Sequence, residues 1–330
     1  MPMTKLVTIY GGSGFLGRQV ARLMARRGWR VRIAVRRPNE ALFTGTAGAV
    51  GQVAPVLCNI RDADSVRAAM AGADAVINCV NLLGREGKST FDNVLVQGAA
   101  NIARLAAEAG VGQLVHISGL GVDPASDSKY IAAKAKGEAA VLEQFPQAVI
   151  LRPSVMFGNG DVFYNRLASL TRFGPLLPVL GARTRLQPVH VDDVAEAAAR
   201  ALEGRAEPGI YELGGPDIMT MRQIARQVLA VTQRRRLVIS MPFWLGRIVA
   251  ALLTTAEVLT GRLFRNRLMN RDQLALLARD NVVGDGARGF SDLGIQPTAT
   301  AVVLEDYLWR FRPSGQYDAI KNSAEHLRAQ

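Results

Sequence analysis

Through the first half of the chain, apolar residues come in short unbroken runs separated by stretches in which they recur at helical spacing. "KLVTIY" (5–10) leads into a helical pattern over 15–27, and "RVRIAV" (30–35) follows it. The runs "PVLC" (55–58) and "DAVINCV" (74–80) flank the alanine-rich helical stretch "DADSVRAAMAG". A long helix is predicted over about 91–109, then a strand at "QLVHIS" (113–118), a helix over about 128–144 and a strand at "AVILRP" (148–153). Strands alternating with helices predict an α/β fold, and strands apolar on both faces fit a parallel sheet covered on both sides. The expectation is a Rossmann-type doubly wound parallel sheet.

The rhythm changes after Pro153. "FGPLLPVLGA" (173–182) reads as loop, "LQPVHVDDVAEAAARALEG" as a short strand and a helix, and the remainder as mostly helical and increasingly basic. The expected division is a dinucleotide-binding domain over 1–155, to which 186–213 returns, and a smaller, mostly helical carboxy-terminal lobe over 156–330.

The glycines of "TIYGGSGFLGRQVARL" (8–23) give this pattern a chemistry. Gly11, Gly14 and Gly17 stand at spacing three, directly after the first strand and at the start of the first helix. The first permits a sharp turn, the second a close approach of backbone to a pyrophosphate, and the third tight packing of helix on strand. The amides of Phe15, Leu16 and Gly17 then face the phosphates. A carboxylate at the end of the second strand would take the ribose 2′-hydroxyl of NAD, but "VRIAVRRP" places Arg36 and Arg37 there. Two guanidiniums, with Ser13 adding a hydroxyl, suit a 2′-phosphate, so the expected cofactor is NADPH or NADP+. Asn59 and Ile60, after the third strand, are expected at the adenine, and Val80 and Asn81, after the fourth, at the ribose and pyrophosphate.

Tyr130 and Lys134 in "YIAAK" lie four apart on a predicted helix and share a face. An ammonium beside a phenol eases its ionisation, which suits proton transfer with a carbonyl or alcohol. With "GGSGFLG" and "LRPSVMFG" (151–158), this pair resembles the extended branch of the short-chain dehydrogenase/reductases. The resemblance implies that Lys134 holds the nicotinamide ribose, that Pro153 lies beside the cofactor, and that Ser118 completes the catalytic set. Gly119 and Leu120 stand where that family usually carries further hydroxyls.

A narrower resemblance runs along nearly the whole chain. "INCVNLLG", "VHISGLGVDPASDSKYIAAKAKGE", "RFGPLLPVLG", "QPVHVDDVA" and "DLGIQPT" resemble the family of nucleotide-binding accessory subunits of respiratory complex I, the NADH:ubiquinone oxidoreductase. That resemblance implies a tightly held NADPH outside the electron path, with Tyr130, Lys134 and Ser118 as remnants of a catalytic set. It implies other peripheral-arm subunits as partners, and a place beside the membrane on the matrix or bacterial cytoplasmic face. A free NADP-dependent reductase, dehydrogenase or epimerase for a small carbonyl or nucleotide-sugar substrate is the alternative, and a sensor of NADP(H) occupancy a third.

Charge bears on the partner. The net charge is +12, and only six of the 40 basic residues are lysine. Such a chain expects acidic company, and no recognition-helix, zinc or base-stacking motif points to nucleic acid. In "MPFWLGRIVAALLTTAEVLTGRLFRNR" (241–267), Ile248, Val249, Leu252, Leu253, Ala256, Leu259 and Leu263 form one stripe of a helical wheel, with Arg247, Glu257, Arg262 and Arg265 opposite. The stripe suits either this protein's own core or an anionic membrane surface met through 241–271, where Arg267 and Arg271 extend the basic face. No uncharged apolar run reaches the roughly 18 residues of a membrane span, and no secretory signal is expected ahead of the first strand. Cys58 and Cys79 fit a reducing compartment, and His116, His190 and His326 lack metal-ligand spacing.

Overall fold

A computed structural model describes residues 4–84, 87–259, 271–313 and 315–317. The chain divides into two compact units. The first comprises Met1–Ser154, Val191–Gly214 and Val283–Pro297, and the second Val155–His190, Gly215–Val282 and Thr298–Gln330.

The first unit is built on strands β1 (Leu6–Tyr10), β2 (Arg30–Val35), β3 (Val53–Leu57), β4 (Ala75–Asn78), β5 (Gln113–Ile117), β6 (Val149–Pro153) and β11 (Gly209–Leu213). They form one sheet in the order β11-β6-β5-β4-β1-β2-β3, with all neighbours parallel. Strand order reverses between β1 and β4, the switch point at which open α/β sheets bind ligands. Helices α2 (Ala63–Met70), α3 (Gln97–Glu108) and α4 (Lys129–Gln144) pack side by side, and α1 (Phe15–Arg26) packs on α6 (Val191–Leu202). Every residue of β1 and β4 is buried, as strands covered on both faces must be. Tyr10, Val76, Leu114, Ile102 and Leu105 lie in one hydrophobic core of this unit. Arg27 joins α1 to α6 through Glu196 at 2.6 Å and Glu203 at 2.8 Å.

The second unit contains the short ladders β7 (Met156–Phe157) with β10 (Val189–His190) and β9 (Arg185–Leu186) with β12 (Met219–Thr220). It also holds a longer parallel pair, β8 (Leu176–Leu180) with β13 (Leu237–Met241). Its helices are α5 (Phe163–Leu170), α7 (Met221–Val231), α8 (Phe243–Leu259), α9 (Arg271–Leu277) and α10 (Thr300–Leu308). Phe157, Tyr164, Leu177, Ile224, Val228, Leu304 and Leu308 form its core. The loop expected over 173–182 is therefore partly a strand. Glycine and proline suggest a break there, yet Pro178 sits in a two-stranded sheet whose strands each keep one open edge, where a missing amide costs little.

Helix α8 corrects the wheel. Gly246 and Ala250 face inward against Leu180 and Leu274, whereas Trp244, Ile248 and Leu252 are exposed. Ile248 and Leu252 thus turn away from the protein's own core. The side chains of Val249, Leu253, Ala256, Glu257 and Leu259, and the whole of Arg262, Leu263, Arg265 and Arg267, lie outside the described residues, as does the side chain of Arg271.

Candidate functional site

The turn after β1 is shaped by its glycines. Gly11 adopts φ +75, and a Cβ there would press on the backbone of Cys79 and Val80 at 3.1 Å, so β1 and the end of β4 can approach only at glycine. At Gly17 a Cβ would stand 2.5 Å from Gly11 O, which seats the first turn of α1 against the loop. The amide of Gly14 donates to Gly11 O at 3.0 Å and closes the turn. Helix α1 starts at Phe15 with no side-chain cap and no acidic residue in its first turn. Its leading amides and positive dipole end are left for an anion. A Cβ on Gly14 would meet only Gly11 O, at 3.2 Å, so the space before the helix is open and is the cradle a pyrophosphate needs.

The other residues expected at the nucleotide stand at the carboxyl ends of neighbouring strands. Arg36 and Arg37 follow β2 directly and are exposed. Arg37 donates to Glu40 at 3.0 Å in a pair open to solvent. Ser13 is half-buried in the glycine turn. After β3, the Asn59 side-chain oxygen accepts from the backbone and side chain of Arg61. Ile60 is in the core with its side chain against Gly98 of α3, so what it offers at the sheet edge is backbone.

Beyond β4 the two halves of the expected site meet. The Tyr130 hydroxyl donates to Asn81 Oδ1 at 3.1 Å, and Phe91 packs edge-on to the Tyr130 ring, 5.8 Å between centroids. Lys134 Nζ stands 5.6 Å from that ring's centroid, and the residue is buried. Ser128 caps α4 by accepting the Ile131 amide, which fixes Tyr130 in the first turn and Lys134 one turn on. Ser118 follows β5, and its buried hydroxyl has no hydrogen-bond partner among the described residues. Pro153 ends β6, and its carbonyl accepts the Leu120 amide at 3.0 Å. Tyr130, Lys134 and Ser118 are thus held by α4 and by the loop after β5.

Three supporting features were not read from the sequence. His116 lies two residues before Ser118 on β5, buried, with Nδ1 3.2 Å from the Asn78 amide nitrogen. Burial and the positive charge of Lys134 push its pKa down to about 3, so the ring is neutral and takes the amide proton on Nδ1. Glu138, one turn beyond Lys134, is buried and grips Arg152 of β6 through contacts of 2.6 and 3.0 Å. Arg152 reaches Glu212 of β11 at 3.4 Å, so one chain of charges ties α4 to two strands. The third feature is the π-helical turn Asp92–Val96 ahead of α3. Leu95 O in this turn lies so close to Gly137 of α4 that a Cβ there would stand at 2.2 Å. Only the spacing Tyr130, Lys134, Glu138 hinted at any of these, by placing all three on one helical face.

A parallel sheet reversing at β1, a glycine turn before an uncapped helix, and a tyrosine–lysine pair on α4 define a dinucleotide-binding protein of Rossmann type. The model of the NAD dependent epimerase/dehydratase family matches residues 7–214. Across 322 residues the chain is 32% identical to NADH dehydrogenase [ubiquinone] 1 alpha subcomplex subunit 9, mitochondrial, of Arabidopsis thaliana, covering 94% of this chain and 79% of that protein. It is 30% identical to the NADH-ubiquinone oxidoreductase 40 kDa subunit, mitochondrial, of Neurospora crassa, covering 94% and 80%. The ceramide reductase of Caulobacter vibrioides is 33% identical over 190 residues, 58% of each chain. Among solved structures, gox2253 superposes with a TM-score of 0.69 at 23% identity, covering 95% of this chain and 99% of that one. The UDP-glucose 4-epimerase of Thermus thermophilus, in complex with NAD, superposes at 0.56 and 19%, covering 72% and 86%. The chain belongs to the NAD dependent epimerase/dehydratase family and, within it, to the family of this complex I subunit.

Proposed function

We propose that this protein is an NADP(H)-carrying accessory subunit of a respiratory NADH:ubiquinone oxidoreductase, which holds its nucleotide without turning it over. It sits on the peripheral arm, and its basic second unit faces the membrane. The observation that carries the reading is likeness to the mitochondrial subunits through both units, well beyond the nucleotide-binding part that reductases and epimerases share. The site is consistent with it. The Tyr130 hydroxyl donates its hydrogen bond to Asn81 Oδ1, inside the protein. Gly119 and Leu120 supply no hydroxyl beside Ser118.

Within this reading Gly11, Ser13, Gly14 and the leading amides of α1 hold the pyrophosphate, and Arg36 and Arg37 the 2′-phosphate. Asn59 and the Ile60 backbone border the adenine. Val80, Asn81, Ser118, Tyr130, Lys134 and Pro153 surround the nicotinamide ribose. A bound NADPH would carry a transferable hydride, which in this reading stays unused. What this chain's residues do is orient and retain it, with Lys134 as the buried cation of the ribose pocket. Among the described residues no helix is long and apolar enough to cross a membrane.

A second reading, a free NADP-dependent reductase, is favoured by the buried Ser118 hydroxyl, which lacks a hydrogen-bond partner among the described residues, and by the likeness to ceramide reductase. Native purification with mass spectrometry of co-eluting proteins and of the extracted nucleotide separates the two. Respiratory subunits and NADP(H) are expected. A lone protein whose reductase activity disappears in Tyr130→Phe would establish the second reading instead.

A further inference from the structure

The second unit carries a groove that the nucleotide site does not use. Its volume is about 620 Å3, and Arg226, Arg234, Arg235 and Arg236 line it together with Leu229, Leu237 and Val238. None of these lining residues is acidic. The fold gathers the charges: α7 ends at Val231, and the chain turns through Gln233 at φ 53 into β13. Three consecutive arginines are thereby delivered to the start of that strand. Arg234 Nε donates to Phe311 O at 2.9 Å and Arg236 Nε to Thr171 O at 3.0 Å. Each guanidinium has five donors, so these ties fix its position and leave others for a ligand. Burial, and then the like charges of Arg236 and Arg172, hold the Arg234 guanidinium below the usual arginine range. An anion in the groove relieves that repulsion.

The same strand pair supplies an apolar surface. Strands β8 and β13 are parallel, with Leu237 opposite Leu176, so their starting ends coincide and bring Arg172 and Phe173 to the arginine end. Leu176, Leu237 and Ile239 are exposed, and Phe173 is 72% exposed. Residues two apart on a strand share a face, so Leu237 and Ile239 lie together, across from Leu176 and Pro178. A polycationic groove at one end of an exposed apolar strand face complements an anionic head joined to an apolar tail. A free phosphate, or an acidic peptide, would use the arginines and leave the apolar face in water.

We propose that this groove takes the headgroup phosphate of an anionic phospholipid, with Leu176, Leu237 and Ile239 against the acyl boundary. The proposal rests on the peripheral, membrane-facing reading above and adds to it a lipid class and the residues that select it. The test uses the purified full chain and vesicles of phosphatidylcholine alone, or of phosphatidylcholine with phosphatidylglycerol, separated by sedimentation. Arg226 and Arg235 are exposed and can be removed without disturbing the carbonyl ties. The double variant Arg226→Ala/Arg235→Ala should lose at least tenfold in affinity for the anionic vesicles. Arg22→Ala/Arg26→Ala, which removes the same charge from the exposed side of α1, should keep it, and Leu237→Ser should weaken it. Equal loss in both arginine pairs would reduce the site to diffuse charge and overturn the proposal. So would displacement of the vesicles by millimolar glycerol phosphate, or intact vesicle binding accompanied by loss of a co-purifying acidic protein. Nucleotide content and co-eluting respiratory subunits, measured on the same preparations, report on the accessory-subunit reading separately.

Discussion

Arg36 and Arg37 illustrate how far single residues could be read from the sequence. Their position after the second strand depends only on the strand pattern, and the structure places both at the end of β2. The Arg37–Glu40 contact depends on the backbone between them and was not legible. Charge-assisted bonds to a phosphate contribute on the order of 1.5–3 kcal/mol each. Arg36→Ala/Arg37→Ala should therefore weaken NADPH binding by about a hundredfold or more and leave NADH binding nearly unchanged. Titration calorimetry with the two nucleotides checks this, and equal losses would place the 2′-phosphate elsewhere. His116 was read only as lacking metal-ligand spacing, because nothing in "QLVHIS" shows that Asn78 and Lys134 surround it. Its folded pKa, about 3, lies below the unfolded value of 6.5, so the unfolded chain binds the extra proton between them. Stability from this group is complete above the unfolded value and declines as pH falls toward the folded one. The loss should be about 2 kcal/mol between pH 7 and pH 5. Urea midpoints at the two pH values should show it, and His116→Gln should flatten the slope.

At the scale of elements, hydrophobic period predicted β1 to β6 of the large sheet, since burial on both faces leaves an unbroken apolar signature, but not β11, where only Tyr211 and Leu213 are buried. The two longer strands of the second unit, β8 and β13, were hidden for opposite reasons. Pro175 and Pro178 disguise β8 as loop, and β13 directly follows three arginines and alternates too little to be noticed. Each is a strand because the other completes its ladder, a long-range fact that no local pattern contains. The order of the helix carrying Tyr130 and Lys134 likewise comes from outside it. Glu138 is 4% exposed and its carboxylate is matched by Arg152, so removing the acid leaves a half-buried guanidinium with Glu212 alone, at 3.4 Å. Glu138→Ala should cost about 3–5 kcal/mol, and Glu138→Gln, which keeps the shape and part of the hydrogen bonding, should cost less. Chemical denaturation of both variants measures the difference. Equal and small effects would show that α4 is held by its apolar packing alone.

For the whole molecule, the proposed function raises the question of why a protein would keep a nucleotide that it does not turn over. Mass action gives one physical answer: a ligand bound only by the folded state stabilises it by RT ln(1 + [L]/Kd), about 2.7 kcal/mol at a hundredfold excess over Kd. The carboxyl ends of the strands carry a glycine turn and two exposed arginines, and α4 brings a buried lysine; in the proposed reading a dinucleotide satisfies all of them. A subunit of this kind is expected to be complete, in the energetic sense, only when loaded, and its partners to select the loaded form. Gly14→Val isolates this effect. The backbone there is extended, with φ -71 and ψ 178, which valine adopts readily, and its Cβ would touch only Gly11 O within the protein. The substitution should therefore leave the apo fold intact while its methyl groups occupy the space before α1. Extracted nucleotide should fall to background. The purified variant should melt several degrees lower than the wild type saturated with NADPH, and match the wild type stripped of nucleotide. In cells it should be depleted from the NADH:ubiquinone oxidoreductase. A variant that is demonstrably free of nucleotide yet joins the complex at the normal level would show that the partners read the protein surface alone, and that the bound nucleotide serves something other than assembly.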